Sequence, residues 1–172
     1  MDLLHGKLHT PDNSPMSGKG LILVILQMMM MAIFAIVPSG YGPPMAPEFL
    51  CFILVISGIF IGGWALLIMG GSFSVFPHPS STSTLLESGP YKKIRHPMYT
   101  AVLLTFTGIA LFTHSIPRLL ISGMLLILFF VKSKYEETLL IEKFSGYTDY
   151  RKRTGRFLPQ LRVSRDSSSK LK

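Results

Sequence analysis

The sequence predicts an all-α, polytopic membrane protein with about four transmembrane helices. The last two form a short C-terminal helical hairpin, which an interfacial amphipathic helix follows. Three observations carry this prediction. Of the 172 residues, 48% are hydrophobic and only 15% charged, and the mean hydropathy of +0.43 suits a chain solvated largely by lipid. The apolar residues gather into four runs separated by breaks rich in proline, glycine or charge. If those runs alternate across a bilayer, all but one of the 17 Lys and Arg residues fall on the same side, Arg118 being the exception.

The first helix is expected at about 19–37. Residues 21–37 are apolar except for Gln27, and with their flanks they reach the roughly 20 residues that cross about 30 Å of hydrocarbon. Pro38 ends the run, and Gly40, Gly42, Pro43, Pro44 and Pro47 make the next segment turn chemistry. The second helix, about 49–69, contains Ser57, Gly58, Gly62 and Gly63. Small residues at that spacing let another helix approach closely, within the chain or as a homo-oligomer through the Gly58/Gly62 face. A polar interval then runs from Gly70 to Pro97, with a Ser and Thr cluster at 80–84. The third helix, about 98–113, is short for a crossing without tilt or local thinning. After His114 and a turn at Pro117, the fourth, about 118–145, returns. From Lys132 onward it becomes amphipathic, with Leu139, Leu140, Ile141 and Phe144 among charges, and is expected to lie at the interface until Gly146 ends it.

The organisation that follows is a flexible N-terminus at 1–18, a membrane domain at 19–160 and a disordered basic tail at 161–172. The polar start, with Pro11 and Pro15, puts the first apolar run too late and makes it too long for a signal peptide, so it reads as a retained helix. The positive-inside tendency places both termini and the Gly70 to Pro97 loop in the cytoplasm. A net charge of +8 would suggest nucleic acid on a soluble face, but here the basic residues flank apolar runs, so no nucleic-acid partner is expected. Cys51 is a lone thiol in an apolar stretch, and no cysteine and histidine spacing reads as a metal site.

The stretch with chemistry is Glu87, Ser88, Gly89, Pro90, Tyr91, Lys92, Lys93, Ile94, Arg95, His96, Pro97, Met98, Tyr99. Gly89 and Pro90 force a turn, and Pro97 suits the first turn of the third helix, where its missing N–H costs nothing. His96 and Tyr99, three apart, can share a face of that helix, and with Arg95 they offer donors at its mouth, where an anionic group would also feel the helix dipole. Beyond the hairpin lie Glu136 and Glu137, then Phe144, Tyr147 and Tyr150, then the run from Arg151 to Pro159.

In this order, the turn, the Arg95-His96-Pro97-Met98-Tyr99 block, the hairpin and the paired acids resemble the isoprenylcysteine carboxyl methyltransferase and phospholipid methyltransferase group of small integral membrane enzymes. The resemblance covers roughly residues 83–160. It implies methyl transfer from S-adenosylmethionine to a lipophilic acceptor delivered by the membrane, such as an isoprenylcysteine-like carboxylate, a lipid amine or a thiol. It also implies a cytosolic cofactor pocket where the two motifs close over the ligand. Tyr91, His96, Pro97, Met98, Tyr99 and one or both of Glu136 and Glu137 are then cofactor contacts, with Leu85 and Leu86 lining the adenosine. Lys132, one turn before the acids where family members carry Arg, looks toward the acceptor, and Arg95 and Arg153 are further substrate contacts.

The residue chemistry agrees with such a ligand, which carries a carboxylate, an ammonium and a sulfonium and so needs both signs of charge and aromatic faces. In-line methyl displacement asks the protein for alignment and desolvation rather than a nucleophile. Whether a general base acts depends on the acceptor. Two other functions stay open at this point. Membrane sterol reductases resemble the family around the same Arg-His-Pro block and would use NADPH, and a non-enzymatic helix-packing partner would use only the Gly58/Gly62 face. Blander readings also exist for single residues. Lys92 and Lys93 suit any cytoplasmic helix end, Glu136 could simply pair with Lys132 on a solvated face, and Met28 to Met31 suit soft packing against lipid.

Overall fold

The computed structural model describes residues 18–70 and 85–160. Among them are five α-helices and no strand: α1 (Gly18–Ile36), α2 (Glu48–Met69), α3 (Pro97–Phe112), α4 (Ile116–Lys143) and α5 (Tyr147–Arg153), with a 3-10 turn at Gly89–Lys92 before α3. Three of them, α1, α2 and α4, are long and apolar enough to cross a membrane, and α3 is a shorter apolar helix of 16 residues. At 1.5 Å per residue α3 is about 24 Å long, less than the hydrocarbon thickness of about 30 Å. The outward faces of α1, α2 and α4 carry exposed Ile, Leu, Phe and Met side chains, as a lipid-solvated exterior requires and a water-solvated one would not tolerate.

Helix ends follow from local chemistry. Pro47 precedes α2, and Pro97 opens α3 in the first turn. Ser115 caps α4, its Oγ accepting from the Arg118 N–H while Pro117 occupies the first turn. Residues 113–115 alone join α3 to α4. The Ser115 hydroxyl donates to the Pro38 carbonyl at 3.1 Å, and the Gly40 N–H donates to that of Thr113 at 2.9 Å, so the loop after α1 is tied to the same turn.

Packing runs through two seams. Along α2 and α3 the backbones nearly touch. A Cβ on Gly58 would clash with the Thr105 hydroxyl and lie 2.7 Å from the Ala101 carbonyl, while one on Gly62 would lie 3.1 Å from the Ala101 methyl. The Gly58/Gly62 face thus packs on α3 of the same chain, the within-chain close approach expected of small residues at that spacing. The other seam brings α1, α3 and α4 together around Met30, Leu125, Leu128 and Phe129, with Tyr99, Val102 and Phe106 packed against them. Nearer the α3–α4 turn, the Phe34 and Phe106 ring centroids lie 4.3 Å apart.

One boundary differs from expectation. The amphipathic segment from Lys132 is not a separate interfacial helix but the last part of α4, which runs 28 residues without a break to Lys143. That is about 42 Å, some 12 Å more than hydrocarbon needs, so Glu136 and Glu137 sit where α4 leaves the apolar layer. Phe144 caps α4, and Gly146, expected to end it, instead begins α5. Of the expected N-terminal segment 1–18, only Gly18 is described, as the first residue of α1; residues 1–17, the Ser and Thr cluster at 80–84 and the basic tail at 161–172 lie outside the described residues.

Candidate functional site

The segment before α3 and the segment after α5 are laced together by backbone hydrogen bonds. Ile94 and Gly155 form a parallel bridge. The Gly155 N–H donates to the Lys93 carbonyl at 3.0 Å, Arg95 N–H to Gly155 at 2.8 Å and His96 N–H to Arg156 at 3.1 Å. A Cβ at Gly155 would collide with the Leu158 carbonyl, so only glycine lets the chain fold back here. Farther along, the Thr100 hydroxyl donates to the Phe157 carbonyl at 2.7 Å, and the Tyr150 hydroxyl to the Tyr91 carbonyl at 2.6 Å. This strap holds residues 154–157 across the mouth of α3.

The strap sets the side chains. His96 caps α3 with an extended φ of −122°, so its ring points away from the helix axis and between the two acids of α4. Its Nε2 lies 3.3 Å from Glu137 Oε1, and its Nδ1 3.5 Å from Glu136 Oε2. The acids are unlike one another. Glu137, with its side chain 3% exposed, is gripped by Arg95 Nε at 2.9 Å and by Arg156 Nη2 at 2.9 Å, with Arg151 Nε at 3.7 Å. Arg95 also donates to the carbonyls of Arg151 and Thr154. Glu136 is 15% exposed, meets no Arg within ion-pair distance among the described residues, and accepts from the Tyr99 hydroxyl at 2.5 Å.

Three rings form a stack beneath them. Tyr99 lies parallel to His96 with centroids 5.4 Å apart and parallel to Phe129 at 4.5 Å, and Phe157 meets His96 edge-on at 6.3 Å. Lys132, 1% exposed, holds its ammonium 5.3 Å from the Tyr99 ring centroid. The hydroxyl of Tyr147, near Glu137, and that of Tyr91, in the turn before α3, are buried with no hydrogen-bond partner among the described residues. Burial pushes the Tyr91 phenol up to about 12. It raises Tyr147 as well, with the negative charge of Glu137 adding to the effect. Both are protonated donors at neutral pH. Unpartnered buried donors are uncommon in native proteins and mark places where a ligand or ion belongs.

Of the residues singled out in the sequence, Arg95, His96, Tyr99, Lys132, Glu136 and Glu137 come together, as does Pro97, fully buried at the start of α3. Tyr91 is buried in the turn before α3, its carbonyl held by the Tyr150 hydroxyl, while Met98, Leu85 and Leu86 are half-buried. Arg153 stands apart: its guanidinium pairs with Glu87 and lies over the Tyr150 ring on the exposed side of α5. The site instead uses Arg151 and Arg156, which in the sequence are two members of a basic run, together with Phe157 and Gln27. Gln27 was the one detectable signal, a single polar residue in an apolar helix.

A family model described as phospholipid methyltransferase matches residues 48–146. Two curated proteins are similar over part of the chain. The cobalt-zinc-cadmium resistance protein CzcN of Cupriavidus metallidurans is 31% identical over 88 residues, 51% of this chain and 41% of that protein. The nickel-cobalt-cadmium resistance protein NccN of Alcaligenes xylosoxydans xylosoxydans is 29% identical over 109 residues, 63% of this chain and 47% of that protein. The matched stretch thus spans less than half the length of either relative. The family match takes in α2, α3 and α4 with both site motifs, and leaves out α1, α5 and the strap.

Proposed function

The chain belongs to the phospholipid methyltransferase family, and from that premise we propose that it transfers a methyl group from S-adenosylmethionine to a lipophilic acceptor at the His96 site. The observation that carries this reading is the meeting of the Arg95-His96-Pro97-Met98-Tyr99 block with Glu136 and Glu137. The two motifs are some 40 residues apart in sequence, yet their side chains lie within hydrogen-bond reach.

The residues present fit the ligand. S-adenosylmethionine supplies a methyl group already activated on a positively charged sulfur, so the protein's part is to bind, orient and dry the site. Glu136, the less satisfied acid, is the acceptor for an ammonium. The cluster of Arg95, Arg151 and Arg156 exceeds the charge of Glu137 and favours a carboxylate nearby. The faces of Tyr99 and His96 suit a sulfonium or a purine, and the Tyr91 and Tyr147 hydroxyls supply donors for ribose or amino-acid oxygens. Glu137 acts differently. Fully gripped by arginines, it locks the strap to α4 and so holds His96 in place. The two acids thus divide into one ligand-facing and one anchoring residue.

The basic end of the bundle is cytoplasmic by the same charge bias that orients other polytopic proteins, which puts the site where a water-soluble nucleotide arrives while the acceptor enters from lipid. The test is calorimetry with S-adenosylhomocysteine on protein in detergent. We expect saturable binding that His96→Ala and Glu136→Gln weaken at least tenfold without loss of helical content. No heat at millimolar ligand, or equal binding by both variants, contradicts the proposal.

A further inference from the structure

At the end of the bundle opposite the acids lies a second charged place, far from the methyl-transfer site. Arg118 is the only Lys or Arg between Tyr99 and Lys132, and it stands in the first turn of α4. Glu136 follows it by 18 residues in the same helix, about 27 Å at 1.5 Å per residue. That is close to the roughly 30 Å of hydrocarbon in a bilayer. With Glu136 where α4 leaves the apolar layer, Arg118 stands at the level of the headgroups of the other leaflet.

The guanidinium rests on an apolar floor. Its carbon lies 5.6 Å from the centroid of the Phe34 ring of α1, which is buried and packs against Phe106. Arg118 Nε is buried with no hydrogen-bond partner among the described residues. Glu48, the described acid at this end of the bundle, forms no ion pair with it. The histidine of the same turn repeats the pattern. His114 Nδ1 is also buried without a partner among the described residues, and the His114 backbone is left-handed at φ 49°, an uncommon conformation for any residue but glycine. The turn is held in place, because the Ser115 hydroxyl donates to the Pro38 carbonyl and the Gly40 N–H to that of Thr113. A buried N–H of a charged group left without an acceptor carries its full desolvation cost, so this end of the bundle calls for an acceptor.

We propose that Arg118 and His114 form an anion site for a phosphate group at the membrane surface opposite the methyl-transfer site, the phosphate being carried by a phospholipid of that leaflet. A guanidinium presents Nε–H and an Nη–H on one edge, spaced for two oxygens of a phosphate. His114 adds a donor when Nδ1 carries the ring proton. The lipid is the source because the phosphates of a bilayer stand at the depth of Arg118, just outside the hydrocarbon. Exposed Ile116 and Leu120 at the same end of α4 offer its chains an apolar surface. A lipid held there joins α1, through the ring under Arg118, to the α3–α4 turn. No bond is made or broken, and the site stands whether or not the other end of the bundle transfers methyl groups.

The test reads Arg118 directly by nuclear magnetic resonance. The full chain, isotopically labelled at its arginine side-chain nitrogens, is held in dodecyl maltoside, a detergent without phosphate. The Arg118 Nε–H signal is identified by its loss in Arg118→Lys. Dihexanoyl phosphatidylglycerol, dihexanoylglycerol and inorganic phosphate are then titrated separately. We expect a saturable downfield movement of that signal with phosphatidylglycerol and none with dihexanoylglycerol, which lacks the phosphate. His114→Phe should weaken the affinity about tenfold, the loss of one charge-assisted hydrogen bond, with the other arginine signals unmoved as evidence of an intact fold. Inorganic phosphate binding as tightly as the lipid assigns the site to a free anion and overturns the lipid source. No movement with either phosphate, or equal movement with dihexanoylglycerol, overturns the site itself. Unchanged affinity in His114→Phe overturns the pairing of the two residues.

Discussion

Glu136 and Glu137 are adjacent, chemically identical and close to the same histidine, yet neutralising them should cost very different amounts of stability. In Glu137→Gln the shape is kept and one negative charge is removed from among Arg95, Arg156 and Arg151. Leaving a buried charge without its partner costs about 3–5 kcal/mol. The low end applies here, because the Arg151 side chain is half exposed and Arg156 reaches water, and because the amide oxygen can still accept one hydrogen bond. The expected loss of about 3 kcal/mol corresponds to a melting temperature lower by roughly 6–12 °C, at 2–4 °C per kcal/mol for a chain of this size. In Glu136→Gln the amide oxygen can still accept from the Tyr99 hydroxyl, and no arginine is stranded among the described residues, so the loss should stay below about 1 kcal/mol. Differential scanning fluorimetry in one detergent compares the two directly. Equal shifts, or a larger one for Glu136→Gln, would refute the division into an anchoring and a ligand-facing acid.

Two further outcomes follow from the packing and the burial of the phenols. Gly58→Leu places atoms against the Thr105 hydroxyl and the Ala101 carbonyl and should destabilise the α2–α3 seam by about 1–3 kcal/mol. Gly63→Leu, where nothing lies within 4 Å, should leave the melting temperature unchanged. The Tyr91 phenol ionises at about 12 in the folded protein, and those of Tyr147 and Tyr150 are also raised by burial, against about 10 in an unfolded chain. The unfolded state therefore loses protons first, so stability is whole below about pH 10 and falls as pH rises through 12. Alkaline denaturation followed with tyrosinate absorbance should show the phenols ionising together with unfolding, and free titration near pH 10 in a folded protein would contradict it.

Much of this arrangement was legible from residue order. Pro38, Pro47, Pro97 and Pro117 punctuate the apolar runs, and the helix limits fall within a residue or two of where those breaks put them. The convergence of the Arg-His-Pro block with the paired acids was legible only through the family resemblance, because no local pattern states which loop meets which helix. What stayed hidden has a geometric reason. Arg151 and Arg153 read alike in a basic run, but two residues on a helix differ by about 200°, so one faces Glu137 and the other water. The bridge between Ile94 and Gly155, which turns Arg156 inward, involves one residue pair and leaves no periodic trace. The helix past Lys132 was legible in length, but it also read as an interfacial helix because its apolar stripe narrows where it leaves lipid, a change of solvent that resembles a change of element. Gln27 was visible as an oddity, but its partner is 105 residues away.

Whether two distant stretches form one nucleotide pocket can be read from direct ultraviolet crosslinking of methyl-tritiated S-adenosylmethionine followed by peptide mapping. Label is expected on peptides containing Tyr91 to Tyr99 and on peptides containing Glu136 to Phe157, all of it suppressed by S-adenosylhomocysteine. Label confined to other helices, or label that S-adenosylhomocysteine does not suppress, would mean that no such pocket exists.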